Sequence, residues 1–381
     1  MTRSCVFAWI SACALACEAV PASSTPSPDS PPPVVEPPAV ESTYTGDPAA
    51  GLPPPLVRDG AFRRGVSLGL FVSARNEQAR QAFYGRFLDE IVEVGATDLQ
   101  LVVQWAQQDV RATRIARVPG RSTEDAVLTW VIDEARRRGL RVLVLPIIDL
   151  QKRAPGDWRG KLAPADWDAW WASYAAYIDH YARLSQAHGA SMFSVGSELV
   201  STEAQQARWR ALIADVRGVF RGELLYSANW DHFRPVPFWD ALDVAGVTGY
   251  GTLSTAPNPD EAALLRGFEP MRRSVEAWTE ATGKRFIFTE IGYASQVGGA
   301  RDPWDYRPRP GGPDPGLQLR CYRAMYRAWQ DHPALAGLYV WNWFGKGGPD
   351  GIGYTPRGKP AAAVLRHWYT QSGQRGERRR P

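Results

Sequence analysis

Residues 191–198 read Ser191-Met192-Phe193-Ser194-Val195-Gly196-Ser197-Glu198. The run from Met192 to Gly196 is short and continuously apolar, as a parallel strand buried on both faces must be. Two long stretches bracket it, Ala165 to His188 and Glu203 to Val219, with apolar residues at the three- and four-residue spacing of amphipathic helices. Read outward, the alternation continues. Short apolar runs stand at Gly65–Phe71, Leu99–Trp105, Val142–Ile148, Leu224–Ser227, Val244–Gly249, Phe286–Thr289 and Gly337–Trp343. Further helical stretches stand at Gln78–Val94, Thr123–Arg138, Pro259–Thr282 and Leu317–His332. Repeating β/α eight times predicts an α/β fold of the (β/α)8 TIM-barrel type, in one catalytic-sized domain spanning residues 58–370. A doubly wound open sheet would want a Gly-rich phosphate turn after its first strand, and Phe71-Val72-Ser73-Ala74-Arg75 has none. The glycines from Gly345 to Gly353 follow the last strand, include Pro349 among them, and read as a loop.

Composition agrees with a large globular core, because 44% of the 381 residues are hydrophobic. Residues 1–57 carry −4 and residues 371–381 carry +3, so the total of +4 leaves +5 on residues 58–370. That charge is mild and spread along the chain, which argues against nucleic acid as a partner. The 16 Trp suggest flat apolar binding faces as well as core.

The ends read differently. Arg3 precedes the apolar stretch Cys5–Leu15 and the small residues Ala16, Ala19 and Ala22, a signal-peptide pattern over residues 1–20 that is too short to span a membrane. Ala14-Leu15-Ala16-Cys17 resembles a bacterial lipoprotein cleavage box, as does Ile10-Ser11-Ala12-Cys13, and Cys17 leaves the more normal leader length. An exported protein is expected, either a cell-envelope lipoprotein lipidated at Cys17 or a secreted one, with any membrane contact made through that anchor. Residues 21–57 hold 12 of the 31 Pro and predict a stiff, partly polyproline spacer without a fold of its own. Residues 371–381 predict a solvated basic tail. With three of the four Cys in the leader, no disulfide framework is expected.

In a barrel, chemistry gathers at the C-terminal strand ends. Glu198 ends the fourth predicted strand, and Glu290, in Lys284-Arg285-Phe286-Ile287-Phe288-Thr289-Glu290, ends the seventh. A carboxylate there is costly to desolvate unless paired or hydrogen-bonded. Two facing carboxylates suit glycosidic hydrolysis, in which one carboxyl protonates the leaving oxygen and the other, ionised, meets the oxocarbenium-like carbon. A separation of about 5–5.5 Å would give retention of configuration and a wider one inversion.

Five segments then carry a specific resemblance: Asp157-Trp158-Arg159-Gly160 with Pro164, Val195-Gly196-Ser197-Glu198-Leu199, Ser227-Ala228-Asn229-Trp230-Asp231, Phe288-Thr289-Glu290-Ile291-Gly292-Tyr293, and Tyr354-Thr355-Pro356-Arg357-Gly358-Lys359-Pro360. From about Gly65 to Leu365 the chain resembles the clan of retaining glycosidases with an acid/base after strand four and a nucleophile after strand seven. It is most similar to glycoside hydrolase family 113, known for β-mannanases. The resemblance implies that Glu198 is the acid/base and Glu290 the nucleophile of a double displacement, acting within a β-linked polysaccharide such as β-1,4-mannan, with no metal or organic cofactor. It also implies helpers. Tyr250 would donate to Glu290 and hold it ionised. Trp341 or Trp343, two apart and so on one strand face, would floor the subsite of the reacting sugar. Trp105 and Trp230 would stack on sugar rings, and Asn229 and Asp149 would bind hydroxyls. Ser197 stands where many clan members have an Asn that contacts the sugar 2-hydroxyl.

Other classes fit less well. His180, His188, His232, His332 and His367 lack metal-ligand spacing. No Gly-x-Ser-x-Gly elbow marks a serine hydrolase. A non-catalytic carbohydrate-binding barrel would keep the Trp residues and lose a glutamate, and a structural envelope lipoprotein would show an apolar patch outside the cleft. The expected partner is a polysaccharide or oligosaccharide substrate, met by a monomer.

Overall fold

The strand runs pair in chain order into one closed ring. The computed structural model describes residues 46–58, 61–70, 77–345 and 347–370. The leader with Cys17, most of the spacer, Phe71 and the tail lie outside the described residues. Eight parallel strands form the ring: β1 (Arg63–Gly69), β2 (Asp98–Gln107), β4 (Arg141–Leu150), β5 (Met192–Ser197), β6 (Glu223–Ala228), β7 (Ala245–Thr248), β8 (Phe286–Ile291) and β9 (Leu335–Val340). Pairing of β1 with both β2 and β9 closes it. A two-residue strand, β3 (Ile115–Ala116), pairs antiparallel with the end of β2 outside the ring. The fourth and seventh barrel strands are therefore β5 and β8.

Around the ring lie α1 (Glu77–Glu93), α2 (Asp125–Arg137), α3 (Trp167–Ala187), α4 (Gln206–Val219), α5 (Glu261–Thr282), α6 (Pro315–Trp329) and α7 (Ala361–Tyr369). The eightfold repeat is incomplete among the described residues: between β6 and β7 the chain makes only a three-residue 3₁₀ turn, Trp239–Ala241. Asp166, Asp260 and Asp314 start α3, α5 and α6 by accepting hydrogen bonds from first-turn amides, which satisfies donors a helix cannot satisfy internally. Gly283 ends α5 in the left-handed region (φ 66°), where a side chain would be strained.

Both faces of the strands are buried, in two separate layers. On β4, Val142, Val144 and Ile148 face the helices, while Leu143, Leu145 and Ile147 fill the barrel. Near the strand starts the filling is Leu143, Met192, Leu225, Ile287 and Tyr339. Near the strand ends it is Val102, Leu145, Ile147, Tyr250, Trp341 and Tyr354. This packed floor leaves the C-terminal mouth as the place where polar groups converge.

The end of the predicted spacer is fastened to the barrel's outside. Arg323 donates to the carbonyls of Pro48 and Ala50, Arg327 to that of Gly51, and Tyr326 to that of Pro53. Both arginines also pair with Glu261 of α5. No helix among the described residues is long and apolar enough to cross a membrane.

Candidate active site

Glu198 follows β5 immediately, and its backbone N–H donates to Ser227 O of β6 at 2.8 Å. Its φ of 55° lies in the left-handed region, which a residue with a side chain adopts at a cost. Its carboxylate is buried between two donors: Arg159 Nη2 lies 2.5 Å from Oε2, and Thr248 Oγ1 lies 3.2 Å from Oε1. Arg159 arrives on a 3₁₀ turn, Arg159–Lys161, after β4. Gly160 keeps that turn tight against Trp158, since a Cβ there would stand 2.2 Å from the indole ring.

Glu290 lies within β8 and is fully buried. Tyr250 donates its hydroxyl to Glu290 Oε2 at 3.1 Å, while Oε1 makes no hydrogen bond among the described residues. Thr248 and Tyr250, two apart at the end of β7, thus reach one glutamate each. Burial pushes both carboxyls above the usual carboxylate range, and the charge of Glu198 pushes Glu290 further in the same direction. Arg159 opposes the rise at both glutamates, Thr248 at Glu198 and Tyr250 at Glu290. One cation beside two mutually repelling carboxylates makes them lose their protons in separate steps, so that an acid and a base stand side by side.

The surrounding expected residues divide. Trp341 lies in the inner cluster with Tyr250 and Tyr354, against which Trp230, Trp304 and Tyr306 pack. Gly292, in Thr289-Glu290-Ile291-Gly292-Tyr293, is held by that arrangement, because a Cβ would stand 2.1 Å from Trp341 O. Trp343 does not share the face of Trp341. β9 ends at Val340, so strand alternation stops before these residues, and Trp343 turns into the outer layer, donating to Glu90 Oε2 at 2.9 Å. Trp105 is also misplaced by the sequence reading. It packs outward against α3, 5.2 Å from the ring of Tyr177, with the Arg117 guanidinium 5.4 Å from its own ring. Trp230 stacks on Trp304 at 5.8 Å and 14°. Asn229 donates to Asp231 Oδ1 at 2.6 Å. Asp149 is buried and spoken for by Arg121, with Nε at 2.9 Å and Nη2 at 2.7 Å. Ser197 is buried, and its hydroxyl has no hydrogen-bond partner among the described residues.

Arg159, Thr248 and Trp304 escaped the sequence reading as site residues. For Arg159 the signal was its place in Asp157-Trp158-Arg159-Gly160; for Thr248 it was sitting two residues before Tyr250; Trp304 lies in a loop without periodicity. Among the described residues no three His, Cys, Asp or Glu side chains converge as a metal site requires.

Comparison with known proteins agrees with this geometry. The family described as Glycoside Hydrolase Family 113 matches residues 71–348. The β-mannanase AaManA of that family from Alicyclobacillus acidocaldarius, solved in complex with ManMIm, is 26% identical over 82% of this chain and 98% of its own, with a TM-score of 0.72. A complex of a β-1,4-mannanase of the same family is 26% identical over 81% of this chain and 98% of its own, with a TM-score of 0.71. A Faecalibacterium prausnitzii β-glucuronidase, 13% identical with a TM-score of 0.55 over 84% of this chain and 49% of its own, shares the fold. No curated protein matches the chain.

Proposed function

The chain belongs to glycoside hydrolase family 113, and from that premise we propose that it cleaves β-1,4-mannan or a related β-linked polysaccharide within the chain, with retention of configuration. The observation that carries the reading is the pair of buried glutamates at the ends of β5 and β8, held by Thr248 and Tyr250 of one strand end and sharing the cation of Arg159. In the first step the ionised Glu290 attacks the anomeric carbon, and Glu198 gives its proton to the departing glycosidic oxygen. In the second, Glu198 takes a proton from water, which attacks the same carbon and releases Glu290. Burial raises both carboxyls, so the coupled pair keeps a proton at neutral pH, and the reaction runs from the form in which that proton sits on Glu198 and the charge on Glu290.

Trp341 and the stacked Trp230 are the aromatic faces for sugar rings. Asn229 and the unpartnered Ser197 hydroxyl are the nearby polar groups for sugar hydroxyls. Asp149 pairs with Arg121 at Oδ2 and faces Arg153 across 3.9 Å at Oδ1, so a sugar hydroxyl would reach it only in competition with these cations. The leader pattern and the Ala14-Leu15-Ala16-Cys17 box support export and a lipid anchor at Cys17, with the Pro-rich spacer holding the barrel off the membrane as a monomer.

The test is reducing-end release from β-mannan, glucomannan, xylan and β-glucan by the barrel and by its Glu290→Gln variant, with the anomeric configuration of the first product read by NMR. Release that is abolished in the variant, with a β-configured product, is the expected outcome. Binding to a polymer without release would point instead to a carbohydrate-binding barrel.

A further inference from the structure

The left-handed backbone at Glu198 needs something to hold it, and the holding groups form a chain of hydrogen bonds behind the site. Leu199 N–H donates to the Tyr226 hydroxyl at 2.8 Å, and that hydroxyl donates to Glu203 Oε1 at 2.7 Å. The turn between Glu198 and Glu203 closes on itself: Thr202 N and Thr202 Oγ1 both donate to Leu199 O, at 2.8 and 2.7 Å. Trp209 of α4 clasps the turn from outside, its Nε1 donating to Thr202 O at 3.1 Å. Tyr226 and Glu203 are both buried.

A phenol has one proton and can send it either way. The Leu199 N–H can only donate, so the Tyr226 hydroxyl sends its own proton the other way, to Glu203 Oε1, which accepts it whether the carboxyl is ionised or carries its proton on Oε2. Other groups facing Glu203 are His232, whose Nε2 lies 3.5 Å from Oε2, and the carboxyls of Glu198 and Asp231; burial first, and then these carboxyls, push Glu203 up to about 8. Packing alone gives no reason for a buried carboxyl here, since withdrawing a polar group from water costs more than burying an apolar side chain of the same size.

We infer that Glu203 and Tyr226 are positioning residues for the reaction: they fix the amide that follows Glu198, and through it the left-handed turn that aims the Glu198 carboxyl at the glycosidic oxygen. The inference rests on the reading of Glu198 as acid/base. It differs from a purely structural role in what it does to the two half-reactions. Misaiming a general acid slows cleavage of a poor leaving group far more than that of a good one, and misaiming the same group as base slows the water step, which an anionic nucleophile bypasses.

The experiment compares Tyr226→Phe, Glu203→Leu and Glu203→Gln with Glu198→Ala on β-mannan and on a dinitrophenyl β-mannoside, with and without sodium azide. For Tyr226→Phe and Glu203→Leu we expect kcat on the polymer to fall about tenfold or more with KM little changed. The pre-steady-state release of dinitrophenolate should stay within about twofold. Azide should accelerate turnover of the aryl mannoside, attacking the anomeric carbon of the glycosyl-enzyme, displacing the Glu290 carboxylate and leaving a β-mannosyl azide. Glu203→Gln, which keeps an acceptor for the phenol, should restore most of the polymer activity. An equal loss on both substrates without azide acceleration, or no loss at all, overturns the inference. If Glu198→Ala itself shows neither the substrate split nor azide acceleration, the acid/base reading is what has failed, and the inference falls with it.

Discussion

The Arg159 guanidinium lies 2.5 Å from Glu198 Oε2, with both side chains almost wholly withdrawn from solvent. Its charge acts beyond that contact, lowering the proton affinity of Glu198 and of Glu290 alike. Arg159 therefore sets the pH at which the pair holds one proton and not two. Replacing it with Met removes the cation, and both carboxyls should then rise further. The proposed mechanism needs Glu290 ionised, so the acidic limb of kcat/KM against pH should move upward by about one unit, which is about tenfold in rate at a fixed pH below that limb. An unmoved acidic limb would show that the arginine serves packing alone.

The hydroxyl of Tyr250 is the donor to Glu290. Tyr250→Phe keeps the ring in its cluster with Trp341 and Tyr354 and deletes one hydrogen bond to Glu290, the proposed nucleophile. Such a bond contributes about 1.5–3 kcal/mol when one partner is charged, so kcat should fall roughly 10- to 100-fold. Thermal stability should fall by no more than about 1–3 kcal/mol, the cost of leaving the buried Glu290 carboxyl without that donor. Steady-state kinetics and a melting curve on the same preparation decide the point; a large drop in melting temperature would count against a role in the chemistry.

How far the sequence alone could be read follows from which interactions are local. The strands were legible because a run such as Val142–Ile148 is apolar on both faces, and it lies inside β4 with only a few residues added at the ends. The same continuity hides which face is which. Trp105 has the parity of Leu101 and Val103, which pack toward the helices, but nothing in a doubly apolar strand marks that parity as outward. Trp343 failed for another reason: two-residue alternation was extended past Val340, where the strand has ended. Glu198 and Glu290 were legible because a charged residue closing a buried strand breaks the local pattern. Arg159, Thr248 and Trp304 were not, since each becomes part of the site through loop conformations and through contacts distant in sequence. The missing fifth helix was visible only as the absence of a three- and four-residue period between Ser227 and Val244.

The opposite placements of Trp105 and Trp230 separate two outcomes that look alike on paper. Trp105→Phe should lower stability by about 1–2 kcal/mol through lost contact with α3 and the Arg117 guanidinium, leaving KM for oligosaccharides unchanged. Trp230→Ala removes a partly buried stack on Trp304 beside the inner cluster. It should raise KM several-fold, a loss of about 1 kcal/mol of binding, with little change in melting temperature. Binding and unfolding measured on both variants test this, and a raised KM in Trp105→Phe would contradict the outward placement of that ring.

Lys359 offers a stability test independent of the site. It is buried just before α7, its ammonium donates to Gly353 O at 3.2 Å, and burial pushes it down to about 7. The folded state therefore gives up this proton near neutrality, whereas the unfolded chain keeps it to about pH 10.4. Stability associated with the group is full above the unfolded value and is lost as pH falls through about 7. Lys359→Met cannot be charged, and it strands no carbonyl, because Gly353 O also accepts from Ser295 N at 3.1 Å. The variant should thus melt higher than the natural protein at pH 5.5, by a few degrees for a penalty on the order of 2 kcal/mol, and the difference should shrink steadily toward pH 9.5. Melting curves across that range decide it. A gain that is the same at every pH would mean that the methionine merely packs better, and a loss at pH 5.5 would mean that the ammonium is solvated when charged.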